Sequence, residues 1–151
     1  MSKELEDFKE IFDANFFKEL EGEFISYDPD KYELVTRFPI QDRFFNPLGY
    51  LLGGMLDSFM DGTMGPLSAL IGRPEVTKTF TAKYIKPTDS EIKFVEVKAW
   101  RSESDSTSSI YKAELFHDNG NLAALSESLF VPFEMKLSWR FNSSKEKSRN
   151  N

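Results

Sequence analysis

The stretch FFNPLGYLLGGMLDSFMDGTMGP, residues 44–66, sets Asn46, Gly49, the pair Gly53 and Gly54, and the acids Asp57 and Asp61 among apolar residues. Apolar helices rarely carry such groups. A carboxylate on a buried helix is placed to activate water as a general base. Two acids spaced by four share one helical face, so Asp57 competes with Asp61 for that role. Glycines at a helix start leave open the first N–H groups, which have no intrahelical partner and carry a partial positive charge. Such a start can receive a carbonyl oxygen or a developing oxyanion.

Each group also has a plainer reading. Asp61 precedes Gly62 in the turn-prone DGTMGP, and Asn46 before Pro47 is an ordinary turn residue. The glycine pair can serve close packing, and Thr77 can be a simple β-former. His117, the single histidine, falls in the turn HDNGN, where a surface position is expected. With no cysteine and no second histidine, no metal site is expected.

The elements that would hold these groups follow from periodicity. Leu5, Phe8, Ile11 or Phe12, and Phe16 recur at helical spacing, predicting an N-terminal amphipathic helix over about 2–21. Residues 23–28 and 31–39 alternate around a DPD turn and predict a hairpin. Leu52, Met55 or Leu56, Phe59 or Met60, and Thr63 predict a mostly apolar, hence buried, helix from about Leu52 to Ile71, which Pro66 should end or kink. A β-branched run over 76–87 predicts a strand. EIKFVEVKAWRSE, STSSIYKAELFHDNG and NLAALSESLFVPF predict three more, the last two joined by a turn whose Asn119 and Gly120 tolerate positive φ. One long helix embraced by an antiparallel sheet of five or six strands is an α+β arrangement. Residues 1–151 read as one domain, with a polar tail over about 142–151.

Composition limits the partners. A formal charge of −6 argues against nucleic-acid binding, which needs a basic surface to displace counterions. No apolar run approaches the roughly 20 residues that span a bilayer, so no membrane partner is expected. The absence of cysteine agrees with a reducing, cytoplasmic setting, and the start lacks the pattern of a secretory signal. Lys78, Lys83, Lys86, Lys93, Lys98, Arg101 and Lys112 gather in the strand half, as a pocket mouth for phosphates or as the wet side of a sheet.

Asn46, Gly49, Leu52, Gly53, Gly54, then Asp61 seven positions after the second glycine, then Thr77 with Tyr84 and Pro87 closing a strand, resemble a known pattern. It is that of the hotdog-fold acyl-CoA thioesterases, specifically the PaaI-like group related to 4-hydroxybenzoyl-CoA thioesterase. NGNLAALSESLFVPF is similar to the family's last strand, and the resemblance covers roughly residues 25–132. It implies a hotdog fold, a homodimer or a homotetramer built as a dimer of dimers, and coenzyme A as part of the substrate with no separate cofactor. It further implies Asp61 as base or nucleophile, Asn46 orienting water or substrate, and the Gly53 amide polarising the thioester carbonyl. Thr77 would assist from the partner subunit, and Gly54, Leu52, Tyr50 and Met55 would contact substrate. The residues themselves, Gly49, Tyr50, Leu51, Met55, Phe59 and Met60, suggest an apolar tunnel. One position departs: the family's histidine is Leu52 here. That departure leaves a second function open, a noncatalytic hotdog protein binding acyl-CoA or a fatty acyl group.

Overall fold

The computed structural model describes residues 3–11 and 15–133. Two short helices, α1 (Lys3–Ile11) and α2 (Asn15–Glu19), precede the hairpin β1 (Glu23–Asp28) and β2 (Glu33–Pro39). The long helix α3 (Gly53–Leu70) follows, then β3 (Glu75–Tyr84), β4 (Phe94–Ser104), β5 (Ser109–His117) and β6 (Leu122–Pro132). The strands form one six-stranded antiparallel sheet in the order β1-β2-β4-β5-β6-β3. This is the α+β architecture expected from the sequence. The expected helix over 2–21 is two segments in the described residues, and the tail expected over 142–151 lies outside them.

Helix α3 lies against the concave face of the sheet because one side of it is apolar. Leu56, Phe59, Met60, Met64 and Leu67 are buried there together with Leu34, Phe38, Val95, Val97, Ala99 and Leu115 of the strands. Phe38 and Phe59 stack with ring centroids 4.7 Å apart. A polar group at the middle of that side, Thr63, shares a 2.7 Å hydrogen bond with Thr36 and donates to the Phe59 carbonyl. Burial thus leaves no hydroxyl unpaired at the centre of the helix.

The helix does not end at Pro66 but runs through it to Leu70. The residue before a proline is normally pushed out of helical geometry, and here that residue is Gly65, which tolerates the adjustment. Ser68 Oγ donates to the Gly65 carbonyl at 2.7 Å and accepts from the Glu75 amide at 3.1 Å, tying the helix to the start of β3.

The two sheet edges differ. β1 is covered by the N-terminal helices, with Phe24 stacked on Phe17 at 4.4 Å and edge-on to Phe8 at 5.7 Å. Among the described residues β3 pairs with β6 alone, and most of its ten residues are exposed.

His117 corrects an expectation. It is the last residue of β5, only 5% exposed, with Nε2 2.8 Å from Thr88 Oγ1. Tyr111, Ala113 and Leu115 point inward, and His117 shares their parity. The turn proper begins after it, where Gly120 takes a φ of 86°.

Candidate functional site

Helix α3 opens with two glycines. Leu52, in extended conformation, is its N-cap and offers no side-chain cap, while the Met55 amide takes the Leu52 carbonyl. Among the described residues the Gly53 and Gly54 amides have no acceptor. A Cβ on Gly54 would meet nothing within 4 Å, so the space beside that residue is open. The loop before them is braced from two sides. Leu51 N donates to the Thr88 carbonyl at 2.8 Å and Leu52 N to the Phe44 carbonyl at 3.0 Å. Thr88 is in turn held by His117, so the single histidine supports the helix start from below. Burial lowers the imidazole's pKa, keeping it neutral, and the nearby Asp118 and Asp89 only partly offset that.

Gly53, Asp57 and Asp61 recur every fourth residue and form one stripe on the side of α3 away from the core. Both acids are held by β3 of the same chain. Thr77 Oγ1 donates to Asp61 Oδ1 at 2.6 Å, and Tyr84 OH reaches Asp57 Oδ1 and Oδ2 at 2.7 and 2.8 Å. Thr77 and Tyr84 differ in parity, so a regular strand would point them to opposite faces. A bulge between Thr77 and Thr79 resets the register and turns both toward the helix. Thr77 therefore reaches Asp61 within its own chain.

Tyr84 also lies over the helix start. A Cβ on Gly53 would stand 3.3 Å from Tyr84 Cζ, so a side chain there would crowd the ring. Desolvation, and then the Asp57 carboxylate, push the Tyr84 phenol up to about 12, so it stays protonated and committed to Asp57. Asp61 carries no such pairing with a phenol. Only one of its oxygens is engaged, and the carboxylate is half-buried.

The other expected residues sort by position. Asn46 Oδ1 accepts from the amides of Leu48 and Tyr50, at 3.0 and 3.1 Å, and so organises the turn before the helix. The oxygen that would orient a water is already engaged. Tyr50 and Leu52, just before the glycines in the chain, are 41% and 55% exposed. Met55 is half-buried against the core, and Phe59 and Met60 are fully within it. The basic residues divide: Lys98 and Lys112 pair with Glu114 and Glu127 on the outer sheet face, while Lys78, Lys83 and Lys86 are exposed along β3 and just beyond it. Sequence reasoning missed the Tyr84–Asp57 pair, for which the only signal was the coincidence of a tyrosine at a strand end with a second acid.

Three solved structures show what this geometry resembles. The E. coli PaaI protein from the phenylacetic acid degradation operon superposes with a TM-score of 0.78 at 17% identity, covering 87% of this chain and 94% of that one. The fold is the PaaI hotdog fold. A putative thioesterase from Ralstonia eutropha, related to phenylacetic acid degradation, gives 0.76 at 19%, covering 86% and 99%. A Streptococcus mutans protein bound to acetyl CoA gives 0.69 at 15%, covering 74% and 88%. No protein-family model and no curated protein sequence matches the chain. Among the described residues, no helix is long and apolar enough to cross a membrane.

Proposed function

We propose that the chain is an acyl-CoA thioesterase whose active site forms between two copies of it. The observation that carries this is the pairing, on one open stripe of α3, of unpartnered Gly53 and Gly54 amides with the Asp61 carboxylate that Thr77 holds. One protein of similar fold is described as a putative thioesterase and another is bound to acetyl CoA, which supports the same chemistry.

The two halves of the stripe do not serve one carbonyl within a single chain. Asp61 lies eight positions after Gly53. At a rise of ~1.5 Å per residue that is about 12 Å of helix, with the Asp57–Tyr84 pair between. A second chain related by a two-fold axis brings its own α3 alongside in the opposite direction. The bare edge of β3 offers the surface for this pairing, since unpaired strand edges seek a partner. The outer sheet face offers a second surface, by which two dimers would form a tetramer.

The thioester oxygen then sits on the Gly53 amide of one chain, and Asp61 of the partner subunit takes a proton from a water. The water oxygen bonds to the carbonyl carbon, and the resulting oxyanion is stabilised by the helix start. The C–S bond breaks, the proton passes to the departing thiolate, and the products are a carboxylic acid and free coenzyme A. Thr77 fixes one carboxylate oxygen so that the other faces the water. Asn46 contributes by shaping the loop that presents the glycines.

Leu52 favours a second reading, acyl-CoA binding without hydrolysis, because it places an exposed apolar side chain at the helix start. A panel of acyl-CoAs, followed by release of free thiol, separates the two. Hydrolysis of any member above the uncatalysed rate supports the enzyme. If the panel is inert and Leu52→His restores nothing, binding alone remains.

A further inference from the structure

We propose that the cavity at the far half of α3, beside Asp61, receives the acyl group, and that it selects an uncharged aliphatic or aromatic acyl chain of limited size. This rests on the thioesterase reading above. The cavity encloses about 350 Å³ between α2, α3 and the start of β3. That lies at the small end of ligand pockets, which run ~300–1,000 Å³. It has room for a ring or a medium-length chain, not for a coenzyme.

The sequence makes this hollow by omission. Gly62, Gly65, Pro66 and Ala69 follow one another along one face of α3, so that wall has almost no side chain. Phe17 and Val76 close the sides. Phe16 lies on Gly62, where a Cβ would stand 2.5 Å from its ring, and at 44% exposure it roofs the mouth next to Asp61.

The charges decide the ligand class. Two acids belong to the lining, Asp61 and Glu75. The Glu75 side chain is wholly buried and turned away, with Oε1 accepting from Ser109 Oγ at 2.8 Å and from Tyr111 OH at 3.2 Å. Arg73, whose Nη2 is 3.9 Å from Glu75 Oε2, is drawn off with it, so among the described residues no cation lines the cavity. Among the described residues Asp61 is the charge left beside it. An acyl chain ending in a carboxylate would meet an apolar wall and a like charge with nothing to offset either. A chain that enters here leaves its thioester carbon beside Asp61, which is where the chemistry above needs it.

The test uses non-hydrolysable alkyl-CoA thioethers of increasing length, with and without a terminal carboxylate, titrated calorimetrically into the full chain. Wild type should gain about fourfold in affinity per added methylene up to a cut-off, and a terminal carboxylate should cost at least tenfold. Ala69→Phe, which fills the cavity, should erase the length dependence while leaving free coenzyme A binding unchanged. Phe16→Ala should move the cut-off to longer chains. A length profile unaltered in both variants overturns the assignment, as does a carboxylate tolerated by wild type. So does a Phe16→Ala protein that keeps its profile but sediments as a smaller species, since the cavity would then be a contact between copies. Should Ala69→Phe fail to fold, Phe16→Ala and the wild-type carboxylate comparison still decide. The two readings fail separately. Analogues that bind with this profile while no acyl-CoA is hydrolysed sink the enzyme and keep the cavity. Hydrolysis insensitive to Ala69→Phe does the reverse.

Discussion

The two sides of helix α3 carry opposite chemistry. The inner side presents Leu56, Phe59, Met60, Met64 and Leu67, each no more than 3% exposed, with Thr63 paired to Thr36. The outer side presents Gly53, Gly54, Asp57, Asp61, Gly62 and Gly65, whose contacts are to the thinly covered strand β3 and to Phe16. Glycine in a helix costs roughly 1 kcal/mol relative to alanine, and this helix carries several. It holds because tertiary packing of one side, rather than propensity, fixes it. The inner side therefore supplies the stability that frees the outer side for open amides and half-buried acids.

If that division is right, substitutions on the two sides should separate stability from activity. Met60→Ala creates a cavity at a fully buried site and should cost about 2–5 kcal/mol in urea unfolding, with the activity of the remaining folded protein little changed. Asp61→Asn should lower thioester hydrolysis by about 100-fold or more, leave the melting temperature near wild type, and leave analogue binding intact. Asp57→Asn is its control and should retain most of the activity, since that acid is already committed to Tyr84. A large loss for Asp57→Asn and none for Asp61→Asn would reassign the base. Gly54→Ala sharpens the division further, because the new Cβ meets nothing. It should stabilise the fold by about 0.5–1 kcal/mol while raising KM, as the methyl intrudes where the thioester approaches.

The smallest effect concerns His117. Burial depresses its pKa below the ordinary 6.5, so the folded state prefers the neutral ring. Between the folded and unfolded pKa values the unfolded chain holds more protons, so stability rises with pH there. The contribution is complete above about 6.5 and drains away as pH falls from there toward the folded pKa. Melting temperatures between pH 7.5 and 5 should show this slope, and His117→Asn should flatten it.

Much of this was legible in the sequence because it depends on periodicity. The helix expected over Leu52–Ile71 is Gly53–Leu70, and the strand expected over 23–28 is Glu23–Asp28. The glycine pair and Asp61 fall where an open helix start and its stripe require them. What escaped depends on pairing between distant segments. The bulge that aims both Thr77 and Tyr84 at the helix belongs to the register of β3 on β6, and β3 is exposed on both faces, so its alternation is weak. Pro66 does not end the helix, because the flanking Gly65 accommodates the proline. The placement of His117 was readable, since the inward parity of Tyr111, Ala113 and Leu115 extends to it, but the DNG turn signal obscured it. The acyl cavity could not be read at all, because it is made by small residues on one helix meeting aromatic residues some fifty positions earlier.

The central claim is that the Gly53 amide and the Asp61 carboxylate act on one thioester from two chains, and subunit complementation tests it most directly. Gly53→Pro removes the amide hydrogen at the first helical position, where proline is tolerated, and Asp61→Asn removes the base. Each homodimer should be inactive. Mixed in equal amounts and allowed to exchange, half the dimers become hybrids, and each hybrid holds one site with both groups intact. Activity should therefore return to about one quarter of wild type, the share set by two-fold symmetry. A mixture that stays inactive, although sedimentation or mass analysis shows hybrids present, would contradict a site shared between chains.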